Sequence, residues 1–335
     1  MLAKIFRILL FISVLKIQSI ILISDFWDRD DIKEDLSAIY SGGPLSQRDE
    51  KNISVTEEQI KLYLFTEETS KNYSTTNFSY PIDKCKRIAV IVHGWGEDVN
   101  VQWYQDLKNA FLKMYPNYCI LEVDWSFLSK SGYLTATYGI KNVGTIFGGF
   151  VLNLCKKYSV QMSKFLFVGH SLGAQICSYI SEEVKKLDQL SRIIALDPAG
   201  VLFNTRPANE RLSEDDAEYV EVIHTSGGTA GFLEPCGRID FFPNGGSIQP
   251  GCVADSLNPA KIVACYHARS YEIFIEAVLN PKEFRARKCD NYFKYKHMFL
   301  PFVSCGKEYV DIGDLKTKES GNFYLDTNSK PPYSK

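Results

Sequence analysis

The chain has 335 residues, 45% of them hydrophobic, with 38 basic against 40 acidic side chains for a formal net charge of -2. Its length suits one large α/β domain with an ample core. The balanced charge, with no basic run, gives no reason to expect nucleic acid as a partner.

The first 24 residues place Lys4 and Arg7 ahead of two apolar segments, Ile8 to Leu15 and Ile20 to Ile23. That is the pattern of a signal peptide, and Lys16 splits the apolar stretch to less than a membrane-crossing length, which weighs against an uncleaved anchor. Residues 25–52 are polar and charged, as in a flexible leader or propeptide, with Arg48 near a candidate processing point. Sequons at Asn52, Asn72 and Asn77 and nine cysteines fit an oxidising, extracellular compartment. The odd count leaves at least one thiol free or paired between chains, and the lack of a CxxC spacing argues against a zinc site.

From Ile60 onward β-rich and helical segments alternate. Strands are expected at Ile60 to Phe65, Arg87 to His93, Cys119 to Trp125, Phe165 to Val168, Ile193 to Leu196 and Tyr219 to His224. Helices are expected near Val101 to Met114, Gly139 to Lys156, Ala174 to Val184 and Tyr271 to Leu279, and Phe323 to Leu325 reads as a last strand. Such alternation predicts an α/β fold: a mostly parallel central sheet with helices on both faces, as a single domain over residues 53–335.

Within it, Gly169-His170-Ser171-Leu172-Gly173 joins a strand to a helix. A pattern with two glycines and one serine arises by chance in about one chain in ten of this length. Its place at a strand-to-helix turn is what makes it a nucleophile elbow, in which a sharp turn exposes a serine hydroxyl. The corresponding architecture is the α/β-hydrolase fold, and the chemistry is ester hydrolysis.

A serine hydroxyl needs a base and a group that orients the base. In hydrolase order the acid follows the serine and the histidine comes last, which excludes His93 and His170. His224 ends a β-rich run and reads as a structural histidine. His267, read as lying in a loop just before a helix and beside Cys265, ranks first as base. Asp197 follows a buried strand and precedes Pro198, at the sheet edge where α/β active sites gather. Its bland reading is a strand-ending turn, and Asp124 is the rival acid, disfavoured because it precedes the serine. Oxyanion donors are expected from the amide of Leu172 and from the glycine loop His93-Gly94-Trp95-Gly96, through Trp95.

These blocks, together with Val123-Asp124-Trp125, Leu196 to Gly200, Val222 to Thr225, Asp240 to Gly246, Gln249 to Cys252 and Cys265 to Ser270, resemble the secreted lipases of the pancreatic type over about Val55 to Tyr333. Within that family they are similar to the insect venom phospholipases A1. The resemblance implies Ser171 as nucleophile, Asp197 as orienting acid, His267 as base, and Trp95 and Leu172 as oxyanion donors. It further implies a lid closed by Cys252 and Cys265, here enclosing twelve residues, and a second cystine between Cys289 and Cys305. Cys85, Cys119, Cys155, Cys177 and Cys236 have no assigned pairing.

Full triacylglycerol lipases of the family carry longer lids, a longer loop before the Asp-Phe-Phe block and a C-terminal β-sandwich, where this chain stops. The family precedent for a short lid and short loop is a secreted phospholipase A1, a carboxylic ester hydrolase cleaving the sn-1 ester of glycerophospholipids at a membrane or micelle surface, expected as a monomer. Triacylglycerol lipase or general carboxylesterase is the alternative, and a non-enzymatic lipid-binding yolk-type relative a further one. Family members can hold calcium in the stretch corresponding to Ala208 to Asp216; here Asp216 remains, but Ala208 and Ser213 supply no carboxylate, so no required metal and no cofactor is expected.

Overall fold

The computed structural model describes residues 53–254 and 258–335. The expected signal peptide, the expected leader and the Asn52 sequon lie outside the described residues. Strands β1 (Lys61–Phe65), β2 (Ser70–Ser74), β3 (Arg87–Val92), β4 (Tyr118–Asp124), β5 (Phe165–His170), β6 (Arg192–Leu196), β7 (Tyr219–Ile223), β8 (Ile239–Pro243), β9 (Arg285–Lys288), β10 (Tyr309–Asp311) and β11 (Gly321–Leu325) form one sheet. Their order is β10-β9-β11-β8-β7-β6-β5-β3-β4-β1-β2. The run from β4 through β3, β5, β6, β7 and β8 to β11 is parallel. Antiparallel β1 and β2 close one edge, and β9 and β10 the other.

Helices α1 (Gln102–Met114), α2 (Ser126–Ser129), α3 (Tyr133–Tyr158), α4 (Leu172–Val184), α5 (Pro259–Leu279) and α6 (Tyr292–Lys296) complete the fold. Central strands buried on both faces favour apolar residues at successive positions. In β3, Ile88, Val90 and Val92 face a core shared with Phe147 of α3 and Ile176 of α4. Ala89 and Ile91 face the opposite core, with Leu107 of α1 and Phe274 of α5. The two-residue period thus builds two layers of helices on one sheet. This is the α/β-hydrolase fold.

Three differences from the sequence expectation matter. Helix α5 starts at Pro259, not near Tyr271, so His267 stands on a helix rather than in a loop before one. The reason is local: Asn258 caps it, accepting from the amides of Ala260 (2.9 Å) and Lys261 (3.4 Å), and Pro259 has no amide to lose at the first position. Helix α3 likewise begins at Tyr133, six residues before the expected Gly139. Strands β2, β8, β9 and β10 were not expected at all; β9 reads Arg-Ala-Arg-Lys, with no apolar alternation to mark it.

Three cystines staple the chain: Cys85–Cys119, Cys252–Cys265 and Cys289–Cys305. The first ties the entry of β3 to its neighbour β4. Cys155, Cys177 and Cys236 are free thiols, and burial pushes all three up out of the reactive range.

Candidate active site

Ser171 occupies the turn between β5 and α4 with φ +56° and ψ -122°. A non-glycine residue at positive φ persists only where its surroundings hold it. Its amide donates to Leu196 O (3.1 Å), and its carbonyl accepts from the amides of Ala174 (3.1 Å) and Ala199 (3.2 Å). The flanking glycines are required by close approach. A Cβ on Gly173 would stand 2.2 Å from Val92 O, and one on Gly169 would stand 2.5 Å from Gly173 O. Leu172 opens α4, so its amide belongs to the first turn, whose donors have no partner within the helix.

Asp197, just past β6, also has positive φ, +44°, and is fully buried. Its Oδ1 accepts from the amides of Thr225 (2.7 Å) and Ser226 (3.0 Å). Its Oδ2 accepts from the Ser226 hydroxyl and from Nδ1 of His267, at 2.6 Å. Burial opposes charge on Asp197, but the hydrogen bond and charge of His267, with the Ser226 and Thr225 donors, hold its carboxyl below the usual range. With Nδ1 committed as donor, Nε2 of His267 is the acceptor nitrogen of the neutral ring.

Ser171, His267 and Trp95 line one cleft of about 270 Å³, together with Glu97, Tyr133, His170 and Tyr271. The Trp95 indole donates to Ser131 O (2.8 Å) and meets Tyr133 edge-on. Glu97 braces the same loop: Oε2 accepts from the Gly94 amide (2.8 Å) and Oε1 from the Trp103 indole (3.0 Å). Burial works against the Glu97 charge, yet the His170 ring 3.6 Å away and the Gly94 amide hold its carboxyl down at about 2. Burial and the neighbouring His267, whose ring centroid is 4.4 Å off, push His170 below its ordinary value against the opposing pull of Glu97.

The other candidates stand elsewhere. Asp124 accepts from the Ser126 amide (2.9 Å) and faces His93 at 3.7 Å, not His267. His93 is buried and stacked on Trp125. His224 is buried, with Nε2 on Asp240 Oδ1 (2.8 Å) and Nδ1 on Phe232 O (3.0 Å). Two acceptors demand two ring protons; burial opposes that charge, but Asp240 raises His224 above its ordinary value. His224, Cys236 and Asp240 are a metal-capable cluster among the described residues, with ligand atoms within 4.8 Å. A doubly protonated ring has no lone pair to give, so the geometry is that of an internal ion pair. In the stretch 208–216, Asp216 Oδ1 lies 3.0 Å from Lys185 Nζ and the Ser213 amide donates to Oδ2.

Sequence reasoning missed Ser226 and Glu97. Ser226 supplies Asp197 with an amide and a hydroxyl from the segment after β7, and nothing in its local sequence marks that. Glu97 lies next to the glycine loop already singled out, and a carboxylate there was the available signal.

A buried carboxylate on a histidine, both beside a serine held at an elbow, defines the class as an α/β-hydrolase. The chain belongs to the lipase family, whose model, described as Lipase, matches residues 39–333. It is 33% identical over 301 residues to pancreatic lipase-related protein 3 of Homo sapiens, covering 81% of this chain and 62% of that protein. It is 30% identical to pancreatic triacylglycerol lipase of Cavia porcellus, covering 82% of this chain and 65% of the relative. To phospholipase A1 of Polybia paulista it is also 30% identical, covering 87% of this chain and 90% of the relative. The chain therefore spans somewhat under two thirds of the length of the pancreatic relatives.

Proposed function

We propose that the protein is a secreted phospholipase A1 that hydrolyses the sn-1 acyl ester of glycerophospholipids, acting as a monomer. The observation that carries the hydrolase reading is the 2.6 Å bond from His267 to buried Asp197, beside the cleft that Ser171 lines. Nε2 of His267 takes the Ser171 proton as Oγ attacks the ester carbonyl. The amides of Leu172 and Trp95 receive the negative charge that develops on the carbonyl oxygen. The intermediate collapses, the C–O bond to glycerol breaks, and the imidazolium protonates the departing lysophospholipid oxygen. Water, activated by the same ring, then releases the fatty acid and restores Ser171.

The substrate assignment is supported by the short loop closed by Cys252 and Cys265, and by likeness to a phospholipase A1 over most of its length. Secretion is supported by the apolar N-terminal pattern and by three cystines, which persist in oxidising compartments. Likeness to a pancreatic triacylglycerol lipase favours the second reading, neutral-lipid hydrolysis by the same residues. The test is purified protein on phosphatidylcholine labelled separately at sn-1 and sn-2, beside a long-chain triacylglycerol emulsion. Release from sn-1 is expected. Release from sn-2 alone, or preference for triacylglycerol, overturns the substrate; full activity in Ser171→Ala overturns the mechanism.

A further inference from the structure

The loop closed by Cys289 and Cys305 has two unlike sides. Tyr292 and Tyr295 of α6 pack inward on Tyr324 of β11, with centroids 6.1 and 6.2 Å away. Phe293, Phe299 and Phe302 point the other way and are 62, 78 and 82% exposed. Phe293 and Phe299 are joined through the His297 ring, at 4.2 and 5.9 Å. Three exposed phenylalanines on one short disulfide-closed loop are unfavourable in water, and Tyr292 and Tyr295 already take the inward places.

Charge on this loop is mildly basic: between Cys289 and Cys305 it carries Lys294 and Lys296 against Asp290, with Lys288 and Lys307 just outside the cystine. Lys294 Nζ lies 2.5 Å from Asp290 Oδ2. The loop is also fixed in position. Tyr292 Oη donates to Asp326 Oδ1 (2.9 Å) and Lys296 Nζ to Asp326 Oδ2 (2.5 Å). Asp326 follows β11, which runs parallel with β8, and through β7 and β6 with β5. The carboxyl ends of β8 and β11 thus open on the sheet edge that carries Ser171 and Asp197. On that edge Tyr292 and Lys296 line a groove with Ile248 and Val253, themselves more than half exposed.

We infer that the Cys289–Cys305 loop is an interfacial anchor: Phe293, Phe299 and Phe302 insert at the headgroup boundary of a phospholipid surface while Lys307, exposed beside Cys305, meets anionic headgroups. Aromatic side chains interleaved with lysines are the composition that settles at that boundary, and anionic lipid strengthens it. Continuity with the active-site edge turns the cleft toward the surface so held. The choice of a lipid occupant over a protein rests on the lipid-ester reading above.

The test separates binding from turnover. Full-length Ser171→Ala protein, and the same protein carrying Phe293→Ser, Phe299→Ser and Phe302→Ser, are sedimented with vesicles of phosphatidylcholine containing a minority of phosphatidylserine. The triple change is expected to weaken partitioning roughly tenfold or more. In the active protein it is expected to lower vesicle hydrolysis in parallel while leaving turnover of a monomeric short-chain ester unchanged. Phe299→Ser alone is expected to give an intermediate loss, which guards against misfolding of the triple variant. Equal partitioning with and without the phenylalanines overturns the anchor. So does a concentration-dependent dimer that the triple change abolishes while vesicle binding persists, since the occupant is then a second copy. Phenylalanine-dependent binding of a protein that releases no sn-1 chain upholds the anchor and fails only the substrate reading.

Discussion

Asp197 and His267 are 70 residues apart in the chain, and their Oδ2 and Nδ1 atoms are 2.6 Å apart in space. The pair joins the end of β6 to the face of α5, and four donors converge on one carboxylate. An amide in its place keeps the shape but can present N–H to Nδ1, which turns the ring to the tautomer that cannot accept the serine proton.

Asp197→Asn is therefore expected to lower kcat on a soluble ester by about 10³–10⁴-fold with little change in KM, as an orienting carboxylate does in serine hydrolases. The Thr225 and Ser226 amides still find an oxygen, so the melting temperature is expected to move little. Steady-state kinetics beside thermal unfolding checks this. A loss under tenfold would remove Asp197 from the mechanism.

Glu97→Gln probes the loop that presents Trp95. The substitution retains an acceptor for only one of two donors, the Gly94 amide or the Trp103 indole. On the proposed mechanism, loosening that loop weakens the Trp95 donor, and a lost oxyanion donor costs about 10²–10³ in kcat. A partial displacement is expected to cost roughly tenfold in kcat with KM nearly unchanged. A rise in KM at constant kcat would assign Glu97 to substrate binding instead.

Glu122 makes the stability of the fold depend on pH. It sits in β4, almost wholly buried, with Oε1 unbonded. Burial raises its carboxyl from 4.5 to about 8, despite the opposing charge of Lys108. Between those values the folded chain holds a proton that the unfolded chain has released. Its contribution is thus complete below about pH 4.5 and is lost as pH rises toward 8. Glu122→Gln is expected to flatten that decline, so the variant gains roughly 2–3 kcal/mol on the native protein between pH 5 and pH 8. Urea unfolding at the two pH values measures it. A constant difference between the proteins would show that Glu122 does not titrate in this range.

Much of the fold was legible because its centre is locally consistent. Strands β3 and β5 are apolar runs bounded by turn residues, and a strand buried on both faces can be little else. Peripheral elements were not: β9 is a strand because β11 and β10 pair with it. The Asn258-Pro259 start of α5 is a signal in the sequence, but its Asn-Pro dipeptide also reads as a turn, so the expected helix begins twelve residues later than the observed one.

The sequence by itself determined the elbow at Ser171, the order in which Asp197 and His267 follow it, and the alternation that builds a parallel sheet. Each is a property of neighbours along the chain. Only the tertiary structure decided which carboxylate meets His267, that Ser226 bonds Asp197 and Glu97 bonds the glycine loop, that Cys85 pairs with Cys119, and that the Phe293 loop shares an edge with the cleft. Those relations hold between residues that the parallel crossovers bring together. A crossover fixes distance in space while leaving no trace in local spacing.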